Sequence, residues 1–304
     1  MSRHVELDVG LVVAGHGRHY IVETPEGRRI PCHPRGKKSD CVVGDRVRWQ
    51  PTNVAGDEGV IEQVEPRRNL LFRQDEWKTK SFAANLDQLL VLVASEPVFS
   101  ESQLSRALIA AESAGIPALI ALNKIDLPAA DAARERLAPY RAMGYELLEV
   151  ALKARPDESR ALLGPRLHGR STLVLGPSGT GKSTLINLMV PAATAQVGEI
   201  SQALNSGRHT TTSTQWYWMD EAHESGLIDS PGFQEFGLRQ IEPAELPRLM
   251  PDIAAHTAGC RFYNCTHRHE PGCAVRAALE RGEITPSRMR IYEEIADELA
   301  QRRW

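Results

Sequence analysis

The chain has 304 residues, 42% of them hydrophobic and 25% charged, with a formal net charge of −3. That size exceeds one small domain, so two or three domains of a soluble globular protein are expected. A near-neutral balance gives no global pull towards nucleic acid, so any such contact must come from local patches, and no apolar run approaches the roughly 20 residues that span a bilayer.

The start, Met1-Ser2-Arg3-His4-Val5-Glu6, lacks the apolar core of a secretory signal, and a cytoplasmic protein is expected. Over 1–75 the sequence reads as short β-rich pieces, Leu11-Val12-Val13, Tyr20-Ile21-Val22, Asp45-Arg46-Val47-Arg48-Trp49 and Gly59-Val60-Ile61, punctuated by glycine and proline. Short strands with frequent turns and no helical period predict a small β-barrel of the oligonucleotide-binding (OB) type. A basic stretch within it, Arg28, Arg29, Arg35, Lys37, Lys38, Arg46 and Arg48 against Asp40 and Asp45, reads either as an RNA-tracking patch or as a solvated loop.

After about residue 80, strands alternate with helices, the signature of a mostly parallel sheet covered on both faces. Leu89-Leu90-Val91-Leu92-Val93-Ala94 predicts a buried strand. Ser100 and Gln103 have capping-box spacing, Leu104, Leu108 and Ala111 form a stripe, and Gly115-Ile116-Pro117 ends the helix. A strand over 118–122 follows, then a helix over 131–143, an extended piece over 147–152, and an apolar strand, Ser171-Thr172-Leu173-Val174-Leu175, that runs into glycines.

Asn123-Lys124-Ile125-Asp126 closes the strand over 118–122, where ligands of open α/β sheets bind. A carboxylate at Asp126 can accept from guanine N1 and N2, an edge that adenine lacks, which predicts rejection of adenine by about tenfold to a hundredfold. Asn123 is expected to hold N7 and the loop, and Lys124 to lie along the base. Gly176-Pro177-Ser178-Gly179-Thr180-Gly181-Lys182-Ser183 fits the phosphate loop G-x-x-x-x-G-K-[ST]. Its glycines let backbone N–H groups wrap phosphates, Lys182 supplies charge to the β and γ oxygens, Ser183 offers a hydroxyl to Mg²⁺, and Thr184 adds an α-phosphate contact.

Gly207-Arg208-His209-Thr210-Thr211-Thr212 offers hydroxyls for Mg²⁺ and the γ-phosphate, Thr211 among them, and reads as a switch behind a polar loop over 192–208. Asp229-Ser230-Pro231-Gly232, after the apolar strand end Gly226-Leu227-Ile228, supplies the D-x-x-G arrangement: a carboxylate near Mg²⁺ at Asp229 and a γ-phosphate N–H at Gly232. Phe233 stands where many GTPases place a glutamine to orient the attacking water, and His209 is the best local candidate for that role. The base motif precedes the phosphate loop, the reverse of the usual order. A circular permutation allows this, because contacts rather than chain order define a site.

Cys260, Cys265, His267 and Cys273 supply three thiolates and an imidazole, which suits a closed, tetrahedral, structural Zn²⁺ site. His256 and His269 compete with His267, which the alternate-residue spacing from Cys265 favours. A final helix over 287–303 carries Ile291, Ile295 and Leu299 on one stripe, while Arg288, Arg290, Arg302, Arg303 and Trp304 read as a phosphate or base grip, or as solvent-facing charges.

On these motifs, in this order, the chain resembles the ribosome small subunit-dependent GTPase A family of circularly permuted GTPases. The resemblance implies an OB barrel over 1–75, a GTPase domain over 76–235 and a mainly helical zinc domain over 236–304. It also implies the small ribosomal subunit and 16S rRNA as partners, no membrane partner, a monomeric state, GTP hydrolysis to GDP and phosphate in late subunit maturation, and His267 as the fourth zinc ligand. A switch histidine in similar proteins is assigned to the water, which here falls on His209. The sequence departs from the pattern at Ala151-Leu152-Lys153, where family members usually carry a Ser-Ala-Lys-like guanine element. The competing readings are a P-loop kinase or ATPase acting on a metabolite, and an RNA-binding assembly factor with incidental hydrolysis.

Overall fold

The computed structural model describes residues 7–36, 40–74, 79–191, 193, 214–230 and 238–301. Strands β1 (Asp8–His16), β2 (His19–Glu23), β3 (Arg29–Pro34), β4 (Arg46–Pro51) and β5 (Gly59–Val64) follow one another in the order β1-β2-β3-β5-β4. Pairing of β1 with β4 closes the ring, so the amino-terminal piece is a five-stranded barrel without free edges. Val12, Tyr20, Val22, Ile30, Val47, Trp49 and Ile61 fill it from alternating positions. Gly59 is required by this filling: a Cβ there would lie 2.5 Å from the Trp49 ring.

A hairpin of β6 (Leu70–Gln74) and β7 (Thr79–Ala84) joins the barrel to the rest. Ala84 N–H donates to Val43 O at 3.0 Å, and Asn85 Nδ2 donates to Gly44 O at 2.8 Å. Gly44 sits at φ +91°, and a Cβ on it would fall 2.1 Å from Ala84 O, so only glycine permits this approach.

The central sheet contains β8 (Gln88–Ala94), β9 (Ala118–Asn123), β10 (Glu146–Glu149), β11 (Ser171–Leu175), β12 (Gln215–Trp218) and β13 (Gly226–Asp229), ordered β10-β9-β8-β11-β13-β12. The pairs from β10 to β13 are parallel and β12 is antiparallel. Every residue of β8 is buried, with Leu89, Val91 and Val93 in one core and Leu90 and Leu92 in the other. This continuous apolar run is what a parallel strand covered on both faces requires. Helices α1 (Glu101–Ala114) and α2 (Ala130–Ala142) cover the first face, and α3 (Pro156–Leu167) and α4 (Lys182–Met189) the second. Ser100 caps α1 by accepting from Gln103 N–H, and Gly115 ends it at φ +65°, both as predicted.

From β8 the chain moves outward to β9 and β10, then returns to β11 on the other flank of β8. Connections diverge at that point, and a crevice opens at the carboxyl ends of the strands. The chain then runs through a 3₁₀ turn (Leu246–Leu249) and helices α5 (Pro251–Thr257), α6 (Ala274–Glu280) and α7 (Pro286–Ala300). Ile291, Ile295 and Leu299 of α7 join the core that contains α1.

Candidate functional site

The crevice is a cavity of about 470 Å³ lined by Asn123, Lys124, Asp126, Leu127, Lys153, Gly179, Gly181, Lys182, Ser183 and Thr184. That volume lies in the range of small-molecule sites. Two stretches remote in sequence thus share one cleft. Asn123 is the fastener: Nδ2 donates to Thr180 O at 2.8 Å, and Oδ1 accepts from Leu152 N–H at 3.0 Å. Lys124 takes the left-handed conformation (φ +62°) and its Nζ donates to Glu96 O at 2.6 Å. Ser95 Oγ donates to Lys124 O at 2.8 Å and Ile125 N–H to Val150 O at 3.4 Å, so the turn is pinned on both sides. Asp126 is left exposed at the rim.

The phosphate loop leaves β11 at Gly176, where a Cβ would lie 2.3 Å from Leu92 O. Gly181 begins α4 at φ +104°, and a Cβ there would meet Asn123 Nδ2 at 2.5 Å. The pattern glycine is therefore needed for conformation and for room. Thr180 Oγ1 donates to Pro177 O at 2.9 Å and tightens the turn. Lys182 Nζ donates to Gly176 O at 2.6 Å and Pro177 O at 3.3 Å, spanning the loop, while Ser178, Gly179, Ser183 and Thr184 are exposed along it.

Asp229 ends β13 beside this loop and is buried. Burial pushes its carboxyl up to about 6, against the attraction of Lys182 and a backbone hydrogen bond from Ser230. Burial also lowers the Lys182 ammonium, with Asp229 opposing it. Asp229 Oδ1 is buried with no hydrogen-bond partner among the described residues. A buried oxygen of that kind, close enough to Lys182 to feel its charge, has the chemistry to face a hard cation. His209, Thr211, the rest of 207–212, Gly232 and Phe233 lie outside the described residues.

A second cluster lies between α5 and α6. The ligand atoms of Cys260, Cys265, His267 and Cys273 all fall within 4.8 Å of one another. His267 Nδ1 is 3.5 Å from Cys260 Sγ and 3.6 Å from Cys273 Sγ. Burial pushes the Cys265 thiol up to about 12, countered by a backbone hydrogen bond from His267 and reinforced by Cys273. A bound cation reverses this by stabilising thiolates. His267 is buried and held low by burial, the neutral form that a metal needs. The competing imidazoles are elsewhere: His256 faces Glu283 at 3.7 Å, and His269 is exposed.

Residues 64–239 match the family model described as RsgA GTPase. A small ribosomal subunit biogenesis GTPase RsgA of Variovorax paradoxus is 62% identical over 97% of this chain and 93% of its own length. The chain belongs to the RsgA GTPase family. A second protein of that name, from Burkholderia pseudomallei, is 55% identical over 99% of this chain and 95% of its own. The solved structure of YjeQ from Thermotoga maritima is 31% identical, with a TM-score of 0.71 over 97% of this chain and 99% of that one. YloQ, described as a circularly permuted GTPase, is 26% identical, with a TM-score of 0.70 over 100% and 99%. Membership makes the chain a GTP hydrolase whose motifs run in permuted order.

Within this RsgA-family chain, the backbone role of Leu152 and the whole contribution of Ser159, which sits behind the cleft, are not visible in the sequence motifs. Leu152 contributes its N–H to Asn123, and Ser159 Oγ accepts from Ala151 N–H at 3.2 Å while donating to Arg155 O at 2.8 Å. The atypical Ala151-Leu152-Lys153 element is thus anchored from α3 as well as from β9. One expectation about basic residues changes. Arg288 is not a phosphate grip: its side chain is 3% exposed, paired through Nε and Nη2 with Asp252 at 2.7 and 2.9 Å, and bonded to Ser105. Three of the seven basic residues of the barrel's stretch are ion-paired, Arg29 on Glu23, Arg35 on Glu62 and Arg48 on Glu65, and Arg28 bonds Gly56 O. Arg46 remains exposed, and Lys37, Lys38, Arg302, Arg303 and Trp304 lie outside the described residues.

Proposed function

We propose that the cleft holds GTP with its base at Asp126 and its phosphates along the loop from Gly176 to Thr184, and that the protein uses this nucleotide in late maturation of the small (30S) ribosomal subunit. The observation that carries the nucleotide reading is the sharing of one cavity by Asp126 and Lys182. Asp126 accepts from guanine N1 and N2, and Asn123, already committed to two backbone groups, holds the cleft's shape and borders N7. Lys124 and Lys153 flank the base, and Ile125 contributes the backbone of the turn. Lys182 exchanges carbonyl partners for β and γ oxygens, and Ser183 and Thr211 hold Mg²⁺ with Asp229 near it. Bound Mg²⁺ supplies positive charge to the phosphate oxygens as charge builds on them.

Gly232 offers its N–H to the γ-phosphate, and His209 orients the water that Phe233 cannot hold. With no glutamine at that position, intrinsic turnover is slow and rises on the partner. Cys260, Cys265, His267 and Cys273 hold one structural Zn²⁺, since four donors leave no open position. The names of the relatives, together with the barrel fold, support the small subunit and its 16S rRNA as partners of a cytoplasmic monomer, with nucleotide state governing association and release.

GTP turnover measured with and without purified small subunits, alongside GTP and ATP affinities of wild type and Asp126→Ala, tests this reading. Stimulation by subunits and a guanine preference lost in Asp126→Ala are expected. Equal affinity of wild type for the two nucleotides rejects the assignment.

A further inference from the structure

Among the described residues, the exposed large hydrophobic side chains are Val9, Val54, Val98, Phe262 and Tyr263. Single exposed valines are ordinary on a protein surface. The two aromatic residues differ, because they are adjacent and sit at the tip of one short loop between Cys260 and Cys265. Phe262 is 41% exposed and Tyr263 is fully so. An aromatic ring left outside a core forgoes burial of roughly 150–250 Å².

The loop holding these rings is fixed. Cys265 N–H donates to Phe262 O at 3.2 Å, Arg261 N–H donates to Gly272 O at 3.1 Å, and the flanking cysteines belong to the clustered ligand set. Gly272, at φ +75°, leaves room for the Arg261 side chain, since a Cβ there would lie 3.1 Å from Arg261 Cβ. The rings are therefore presented on a rigid mount at little further cost in entropy.

The surroundings select the partner. Positions 261–269 contain no acidic residue, and of their two arginines Arg268 is paired with Asp297 at 2.7 Å while Arg261 stands beside the rings. The first acid, Glu270, is turned onto the loop itself, accepting from the N–H groups of Thr266, Arg268 and His269 and from the Thr266 hydroxyl. Arg261 lies with its guanidinium 5.5 Å from the Phe262 ring centroid, a cation at the edge of an aromatic surface. A protein partner calls for a wider apolar centre than two rings set among Asn264, Thr266 and Arg261 provide. A flat exposed ring beside a cation matches an unpaired nucleobase and its phosphate.

We propose that Tyr263, supported by Phe262 and Arg261, is a stacking platform for an unpaired base of the small-subunit RNA, with Arg261 against the adjoining phosphate. Duplex RNA does not satisfy it, because paired bases are already stacked on each other. This inference rests on the small subunit being the partner, and it assigns one RNA contact to the metal-cluster loop.

The test uses full-length, metal-replete protein and purified small subunits with a non-hydrolysable GTP analogue. Tyr263→Ala is expected to weaken subunit binding about tenfold, the fold-change of one lost base stack. Tyr263→Trp is expected to bind like wild type, and both variants should keep wild-type metal content and subunit-independent GTP turnover. A photoreactive side chain at position 263 should cross-link to 16S rRNA. Wild-type subunit affinity in Tyr263→Ala, or cross-linking to a ribosomal protein instead, overturns the proposal. Failure of wild type itself to bind subunits overturns the partner assignment as well, and so is distinguishable.

Discussion

Replacing Asn123 with alanine should cost nucleotide affinity more than any single contact with the base would suggest. The side chain is 4% exposed and bonds the Thr180 carbonyl and the Leu152 amide, one on each wall of the cleft. Each bond contributes about 0.5–1.5 kcal/mol net, and each buried group left unpaired costs about 1–3 kcal/mol. Water entering from the open side of the cavity offsets part of this, so a loss of about 2–3 kcal/mol is expected. At 1.4 kcal/mol per tenfold, that is about 30- to 150-fold weaker binding. Asn123→Asp should do no better, because it keeps the acceptor for Leu152 but turns the donor facing Thr180 O into another acceptor. Titration with a fluorescent GDP analogue measures the affinity, and thermal unfolding without nucleotide separates local loosening from global instability. An Asn123→Ala variant with affinity within twofold of wild type would refute the claim that this side chain holds the two walls together.

Ser159→Ala removes the anchor of the Ala151 amide and should lower GTP affinity about three- to tenfold by calorimetry, the worth of about one hydrogen bond. Arg288→Ala leaves Asp252 without its buried partner and should reduce unfolding free energy by about 3–5 kcal/mol in denaturant titration. Asp229 has a folded-state carboxyl of about 6 against an ordinary 3.8, so the ionised form is disfavoured in the native state. Nucleotide-free protein should therefore lose stability as pH rises from about 4 to about 6, and Asp229→Asn should lose less over that window. Metal analysis should find one Zn²⁺ per chain, and a strong chelator or Cys273→Ser should lower the melting temperature and remove the metal; an unchanged melting curve after complete metal removal would exclude a structural ion.

Parts of the molecule whose physics is local are legible in the sequence. The phosphate loop needs φ > 0 at Gly181 and contact room at Gly176, and only glycine supplies both. The cap at Ser100, the stop at Gly115 and the all-buried β8 likewise follow from neighbouring residues. Cross-strand and long-range pairings are not legible in this way. The acids that neutralise Arg35 and Arg48, Glu62 and Glu65, come from β5 or its end, and without the register of that strand the arginines read as a free patch. Arg288 carried a usable signal: it falls three, seven and eleven positions before Ile291, Ile295 and Leu299, on the buried stripe of α7, whereas Arg290 falls off it. Ser159 carried none, since its role depends on α3 returning to β10's end.

The permuted order has a mechanical consequence that the contacts of the carboxy-terminal helices make specific. In sequence, those helices follow β13, whose last residue is Asp229 on the phosphate side of the cleft. In space, they are fastened to the helices that flank the base-reading strand. Arg288 donates to Ser105 at 2.6 Å and lies 5.2 Å from the Tyr140 ring centroid, Ser287 donates to Glu101 at 2.9 Å, and Arg106 donates to Glu298 at 2.6 Å. The α1 helix leads into β9, which ends in Asn123. One region is thus covalently continuous with the phosphate side and non-covalently clamped to the base side. A change at the phosphates must be absorbed either outside this clamp or by it, and the clamp includes the buried bond from the Arg288 guanidinium, 3% exposed, to Ser105. Pulling the clamp apart strips that buried charge of a hydrogen-bond partner, which is costly. Nucleotide-dependent movement should therefore leave the carboxy-terminal helices with α1 and α2 as one body.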